Sequence, residues 1–514
     1  MLPAVVAAVA WSLPSESGIT FGRPVRLGPT DGMSDEFYAL GPLDTRIIFG
    51  VHPKMVASGR PGSPAKQVYP GTVATMSTTN GRSWEPIPQG CVGIVAQERR
   101  FTLAAYPSEC SDSDPSVCTV LTTFGNFADI RSPTTSTSTV FNASGATVVS
   151  WSNGTLRCAP KTPAVTTITG LPPLVVCCSV GGLRFSGAAA IYLGPGGKNR
   201  YLTTVLGSLA AGHGQDRMAI LAVGSTDGIA WHYLSTIADY STPHMNSAEG
   251  GPNEMDLAWL PDNKRIIAMM RVCGGAVAEC SENYARSVSS DRGATWSEPA
   301  FVPNVGSARP RLLQLGSTLI MGGGRMWNGG DMRDHINLIN GTNDNMLWAA
   351  RDGEGLEWTP YSISYYHNRG EPDPGLHFTA GVNSSLFLGD MTVGQRHTDY
   401  ETHAYTSVVQ LTRNTGLITY QYTAKTVVNE TRQCDEQPIQ YFFNRHIWGA
   451  NVTGEAECIA ANNTRNIGRT FYWNAARGTP ADSCGHQACD CCWTGRSIAR
   501  PFKNGTFAMK FTVD

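Results

Sequence analysis

The stretch SVSSDRGATW, residues 287–296, decides how the chain is read. It has three relatives in the same sequence: STTNGRSW at 77–84, STDGIAW at 225–231 and RDGEGLEW at 351–358. The last three recur at intervals of about sixty residues, the signature of a supersecondary unit repeated around an axis. The first gap, from Ser77 to Ser225, has room for one degenerate copy near SWSNGTLRC, residues 150–158. Each turn has a physical rationale: Ser and Asp side chains accept main-chain hydrogen bonds inside it, Gly supplies positive φ, and Trp is expected to plug the core beneath. Such a turn joins two strands, so Asp227 and Asp291 read as structural residues and the reacting groups must lie elsewhere.

Composition agrees with many short strands joined by tight turns. The 514 residues include 55 Gly, 31 Pro and 12 Trp, only 16% are charged, and helical periodicity is scarce. A formal net charge of −2 leaves no electrostatic footprint for nucleic acid or an anionic membrane surface. Any acidic ligand would have to be held by a local cluster of arginines.

Several features point to export. MLPAVVAAVAWSL at the start is too short to span a bilayer and reads as the apolar part of a secretory signal over 1–17, a buried first strand being the alternative. Sequons stand at Asn142, Asn153, Asn340, Asn383, Asn429, Asn451, Asn462 and Asn504, and the 14 Cys are an even number. The reading is therefore a secreted or secretory-pathway protein with disulfides and no membrane span.

The turns at this spacing resemble the Asp boxes of the sialidase superfamily. The likeness is carried by EGGPNEMDLAWLPDNKRIIAMMR (249–271), by GSARPRLLQLGSTLIMGGGR (306–325) and by HAYTSVVQLTRNTGLITYQY (403–422). It implies an all-β fold, a six-bladed β-propeller of four-stranded antiparallel sheets over residues 18–425, with a Cys-rich C-terminal extension over 426–514. It also implies an exo-glycosidase that removes a terminal sialic acid or a related sugar by a retaining mechanism without cofactor or metal, its partner being a glycan or glycoconjugate. Tyr405 is the implied nucleophile, Glu254 its base, and Arg271 a carboxylate-binding arginine, with Arg325 or Arg333 as another. Tyr400 competes with Tyr405. Those residue types suit the substrate: a carboxylate on the attacked carbon would repel an anionic nucleophile, a phenol avoids that, and guanidinium forks hold the carboxylate.

Departures from the family pattern keep two other readings open. SDEFYALGPLDTRIIFGV (34–51) has Asp35 and Glu36 where the family has an arginine, HPKMVASGRPGSPAKQV (52–68) holds no acid/base Asp, and Gln421 stands where a Glu would steady that arginine. A sialidase would need its first arginine from elsewhere, Arg23, Arg26 or Arg60. The alternatives are a glycosidase for another sugar, with Asp35 or Glu36 paired with Glu254, and a non-catalytic carbohydrate-binding propeller. Arg309 and Arg311 read as a surface loop pair. CGHQACDCCW (484–493) fits no zinc-knuckle spacing and reads as disulfide-forming, Cys273 and Cys280 as closing a hairpin loop, and Cys177 and Cys178 as pairing with distant partners. Oligomeric state is left open.

Overall fold

Short runs rich in Val, Ile, Thr and aromatic residues, broken every few positions by Gly, Pro, Asn or Ser, fold as strands here. A computed structural model describes residues 18–28, 36–40, 43–44, 46–53, 72–86, 104–110, 117–123, 140–152, 155–160, 164–172, 184–185, 190–194, 197–208, 218–243, 245, 251–273, 282–302, 305–306, 308–326, 344–373, 406–422, 470–473, 491–494 and 505–514. Residues 1–17, most of the sequons and most of the cysteines lie outside the described residues.

After β1 (Ile19–Phe21) and β2 (Val25–Gly28), the chain forms a four-stranded meander of β3 (Glu36–Leu40), β4 (Ile47–Pro53), β5 (Thr72–Ser77) and β6 (Glu85–Pro86). A ten-stranded sheet follows. Its first half is β7 (Ala104–Cys110), β8 (Val117–Thr123), β9 (Val140–Ser152), β10 (Thr155–Pro160) and β11 (Ala164–Thr169). Its second half is β12 (Arg184–Phe185), β13 (Ile191–Tyr192), β14 (Tyr201–Ser208), β15 (Met218–Ser225) and β16 (Ala230–Asp239). The halves meet where β11 pairs with β16 in parallel, whereas pairing within each half is antiparallel, so this sheet is two meanders joined edge to edge. Two more four-stranded meanders come next: β17 (Pro252–Trp259), β18 (Ile266–Cys273), β19 (Glu282–Ser289) and β20 (Ala300–Phe301), then β21 (Ala308–Leu315), β22 (Thr318–Met326), β23 (Asp344–Ala350) and β24 (Thr359–Ser362). The helix α1 (Ile363–Gly370) is capped at its start by the Ser362 hydroxyl. The remaining strands are β25 (Ser407–Gln410), β26 (Thr415–Tyr422), the hairpin pair β27 (Thr470–Trp473) and β28 (Cys491–Thr494), and β29 (Gly505–Val513).

The last strand changes the domain reading. β29 lies between β26 and the N-terminal strands, with Ile418 opposite Met509, Ile19 opposite Val513 and Val25 opposite Ala508. A boundary at 425/426 therefore cuts through this closing sheet, and 505–513 is part of the main body. Between 426 and 504 the described residues form only β27 and β28, where Cys491 and Cys492 stand opposite Trp473 and Tyr472.

Apolar clusters fill the spaces between successive sheets. Ile168 of β11 meets Val205 and Trp231; Leu202 and Ile220 meet Met255 and Met270; Ile267 and Tyr284 meet Met321 and Trp348; Ile320 and Leu347 meet Ile418 and Phe507; Leu417 and Val409 meet Phe37 and Ile48. The final pairing returns to the first meander.

All four repeat turns join the third and fourth strands of their meanders: β5 to β6, β15 to β16, β19 to β20 and β23 to β24. The degenerate copy falls at the equivalent connection, β9 to β10, its Asn153 and Gly154 being outside the described residues. Inside the 289–296 turn, Ser289 Oγ accepts from the Gly293 N–H at 2.8 Å while Asp291 accepts from the Thr295 N–H and hydroxyl at 2.8 and 2.6 Å. The 351–358 turn lacks the serine, and Asp352 accepts from four backbone N–H groups, of Glu354, Gly355, Leu356 and Glu357. Burial alone would raise the Asp352 carboxyl; these donors outweigh it and hold it below its ordinary value. The Trp plugs are less uniform than expected, since only Trp231 is fully buried, while Trp84, Trp296 and Trp358 are half-buried.

The turns also hold neighbouring sheets together. A Cβ on Gly293 would come within 2.7 Å of Leu202, one on Gly355 within 2.8 Å of Ile267, and one on Gly81 within 3.4 Å of Leu417. In each case the glycine rests on the preceding sheet, and for the first meander that sheet is the closing one.

Two outcomes follow for stability. Gly293→Ala meets both a left-handed φ of +89° and the Leu202 methyl, so urea denaturation should show a loss of about 2 kcal/mol or more; a change below about 0.5 kcal/mol would contradict the clamp. Removing residues 505–514 takes away the strand joining β26 to β1 and β2, and the truncated chain should lose its cooperative thermal transition; a native-like transition would show the segment to be dispensable.

Candidate functional site

In an antiparallel meander the first-to-second and third-to-fourth connections share one end, and the start of the first strand and the end of the second lie at the other. Glu254 is the third residue of β17 and Arg271 the sixth of eight in β18, so both occupy the end away from the repeat turns. The bulge between Pro252 and Met255 locally breaks the β17–β18 register, and there the side chains meet: Arg271 Nη1 donates to Glu254 Oε2 at 3.2 Å. Both side chains are largely buried, at 10% and 14% exposure. Across the sheet, Arg271 stands opposite Tyr284, which is fully buried and packs edge-on against Trp348 at 6.1 Å.

Two residues further along β17, Asp256 is buried, and its Oδ2 accepts the Leu312 N–H of β21 at 2.9 Å. A carboxylate thereby ties one first strand to the next. β25 and β3 are joined in the same way: Ser407 Oγ donates to the Phe37 carbonyl at 3.1 Å and accepts from the Phe37 N–H at 3.3 Å. Between them β21 packs on both β17 and β25, and a Cβ on Gly322 would come within 3.0 Å of the Thr406 hydroxyl and Val408. The first strands β17, β21, β25 and β3 thus line up side by side.

Of the residues expected from sequence, Glu254 and Arg271 are brought into contact. The backbones of Arg325, near the end of β22, and Glu36, at the start of β3, are described, their side chains are not. Tyr405, Tyr400, Arg333, Asp35 and Arg60 lie outside the described residues; Thr406, next to Tyr405, is fully buried. Arg23 and Arg26 do not serve as the missing first-strand arginine. They are exposed, on or beside the outermost strand of the closing sheet, separated from β25 by β29 and β26.

Arg309 and Arg311 correct the surface-pair reading, being 3% and 1% exposed. The reason is a second bulge, between Ala308 and Arg311, where Arg309 adopts a left-handed φ of +46° directly before Pro310. A non-glycine residue there stores about 1–3 kcal/mol of strain, and such strain collects at functional sites. Its only trace in the sequence is the Arg-Pro-Arg run itself. Asp256 was also missed, although it stands only two residues from Glu254 on the same strand. Among the described residues no group of three or more His, Cys, Asp or Glu side chains is arranged to hold a metal.

Chemically, this end of the sheets combines two carboxylates and three arginines that are largely out of water. Guanidinium groups in such surroundings suit a planar anion, and a carboxylate beside one can exchange its partner for a substrate's.

No family model matches the chain, and no curated protein matches it in sequence. Solved structures similar to it include a protein of unknown function from Dyadobacter fermentans, with TM-score 0.44 and 13% identity over 79% of this chain and 95% of that one. An alpha-L-arabinofuranosidase of Fusarium graminearum has TM-score 0.40 and 12% identity over 78% and 92% of the two chains. The NanB sialidase from Streptococcus pneumoniae has TM-score 0.38 and 12% identity over 79% and 68%.

The Glu254–Arg271 contact predicts a characteristic stability pattern. Arg271→Met takes the guanidinium away from a largely buried carboxylate and should cost about 3 kcal/mol in denaturant unfolding, whereas Glu254→Leu combined with Arg271→Met should recover most of it. Additive losses in the double variant would mean that the two side chains are not coupled.

Proposed function

We propose that the chain is a secreted glycoside hydrolase built as a six-bladed propeller, its blades being the groups β3–β6, β7–β11, β12–β16, β17–β20, β21–β24 and the closing sheet. Its substrate on this reading is a glycan ending in sialic acid or a related acidic sugar. The observation that carries the proposal is the largely buried Arg271–Glu254 pair at the end of β17 and β18, with buried Arg309 and Arg311 on the adjoining strand.

The proposed chemistry runs as follows. The substrate carboxylate takes the guanidinium of Arg271, assisted by Arg325 or Arg333, and competes with Glu254 for it. Glu254, so released, accepts the phenolic proton of Tyr405 as that oxygen attacks the anomeric carbon and the aglycone leaves. Water then cleaves the tyrosyl–sugar bond, passing its proton to the base left by protonation of the aglycone while Glu254 returns its own to the phenol, and configuration is retained. Water or a group outside the described residues would protonate the leaving oxygen.

A second reading has one observation in its favour. Glu36 begins β3, and β3 is bound to β25 through Ser407, so a carboxylate-bearing strand adjoins the strand that follows Tyr405. A glycosidase for a neutral sugar would use Glu36 or Asp35 with Glu254.

One assay series separates the two. The full chain should hydrolyse a fluorogenic sialoside in preference to a panel of neutral glycosides, and Tyr405→Phe should lower kcat on the order of 10³-fold or more at unchanged thermal midpoint. Retained turnover in Tyr405→Phe together with its loss in Glu36→Gln would move the nucleophile to a carboxylate. No turnover of any glycoside by the native chain would leave a binding propeller.

A further inference from the structure

We infer that the opposite end of the sheets, the one that carries the repeat turns, holds a second binding site, for an anionic polysaccharide. The site is built on the connection between β13 and β14, a first-to-second connection, so it lies at the far end of the meanders from Glu254 and Arg271. Its centre is an aromatic–cation stack. Tyr192 and Tyr201 have ring centroids 5.6 Å apart, and the Arg200 guanidinium lies 6.0 and 5.7 Å from them. Tyr201 is buried beneath, but Tyr192 is 48% exposed, one of few large apolar side chains so exposed among the described residues.

The stack sits on a fixed base. Leu193 N–H donates to the Arg200 carbonyl at 2.7 Å, Arg200 N–H to the Ser225 carbonyl at 2.9 Å, and the Trp259 indole N–H to the Tyr192 carbonyl at 3.3 Å. From the neighbouring turn, Arg292 reaches across and donates to the Leu193 carbonyl. Leu193, Arg200 and the Tyr192 backbone are therefore held in place, and ligand binding at these residues would order little that is not already ordered.

Charge selects the ligand. Lys198 is exposed, Arg200 and Arg292 are partly so, and Lys198 lies near enough to His232 to reinforce the effect of burial in lowering the His232 pKa. The nearby carboxylates are engaged locally: Asp227 accepts from the Ile229 and Ala230 N–H groups and Asp291 from Thr295. Beside Gly224, whose missing Cβ makes room for the Asn199 amide, Asn199 Oδ1 and His232 Nε2 are buried without a hydrogen-bond partner among the described residues. Cations around an exposed tyrosine face, over unsatisfied polar atoms, suit a chain of sugar rings bearing sulfate or carboxylate groups. The rings would lie on Tyr192 and the anions on Lys198 and Arg200. A single-stranded nucleic acid could use the same stack, but the chain's net charge of −2 gives it no extended basic track.

The test uses the full chain with sulfated dextran, unsulfated dextran and an oligothymidylate as probes in affinity electrophoresis. Sulfated dextran should retard the protein, less so as salt is raised, and Lys198→Glu and Tyr192→Ser should each weaken binding about ten-fold. Both substitutions are at exposed side chains, so thermal midpoints and turnover of a small glycoside should be unchanged, and the readout does not require hydrolysis. Equal retardation by unsulfated dextran, tighter binding of the oligothymidylate, unchanged binding in Lys198→Glu, or loss of small-substrate turnover in that variant would each overturn the inference.

Discussion

The contact on which the arrangement depends is a glycine of a repeat turn resting on the sheet before it. Gly293 sits on Leu202, Gly355 on Ile267 and Gly81 on Leu417, with no space for a methyl group at the first two. A turn that were merely a local hairpin would have no need of such approach. Polar contacts reinforce the same seams: Ser235 donates to the Gly293 carbonyl at 2.7 Å, and Arg265 forms a two-pronged contact with Glu354 at 2.8 and 2.5 Å. Arg265 and Glu354 are about one-third exposed, so the ion pair contributes little, and apolar burial beneath the turn is the larger effect. The Ser and Asp of the motif set the turn's shape, and that shape brings the glycine against its neighbour.

Closure obeys the same constraint with different covalent connectivity. Gly81 packs on Leu417 and Lys510, residues of β26 and β29, so the first meander leans on a sheet assembled from both ends of the chain. β29 pairs along its length with β26 on one side and with β1 and β2 on the other. The backbone hydrogen bonds of one strand hold the termini together, and the helix α1 seals the outer side: Phe21 stacks on Tyr366 at 4.1 Å, and buried His367 bonds the Tyr420 hydroxyl at 2.8 Å. Pairing over such sequence separations forms late for entropic reasons, which makes the closing sheet the expected place for the fold to open.

How much was legible in the sequence follows from the range of each interaction. The repeat turns were readable because every hydrogen bond in them spans five residues or fewer, and their spacing gave the order of the meanders. Glu254 and Arg271 were readable as residues at facing ends of consecutive strands, and they do meet. The place of 505–513 was not, because nothing local in GTFAMKFTV says which strands flank it. Nor was the burial of Arg309 and Arg311, which depends on a bulge and a left-handed residue before proline. Exposed Arg23 and Arg26 show the converse: adjacency in sequence to the first meander does not bring a residue to its first strand.

The first strands have a further property that bears on chemistry. Among the described residues, the hydrogen bonds that join them pair a side chain with a backbone group: Asp256 accepts from the Leu312 N–H, and Ser407 donates to the Phe37 carbonyl. Each of these strands can therefore be bulged without breaking a ladder to the next sheet, and β17 and β21 are both bulged near the positions that carry Glu254 and Arg309. A bulge redirects one side chain at little cost to the rest of the strand. Different charged residues can on that account be presented at this end while the turns at the other end keep the sheets in register. Strand starts and repeat turns are thus separate places in this construction: charged residues such as Glu254 and Arg309 sit at or near the bulges of β17 and β21, and the turns that clamp neighbouring sheets lie at the other end of the strands.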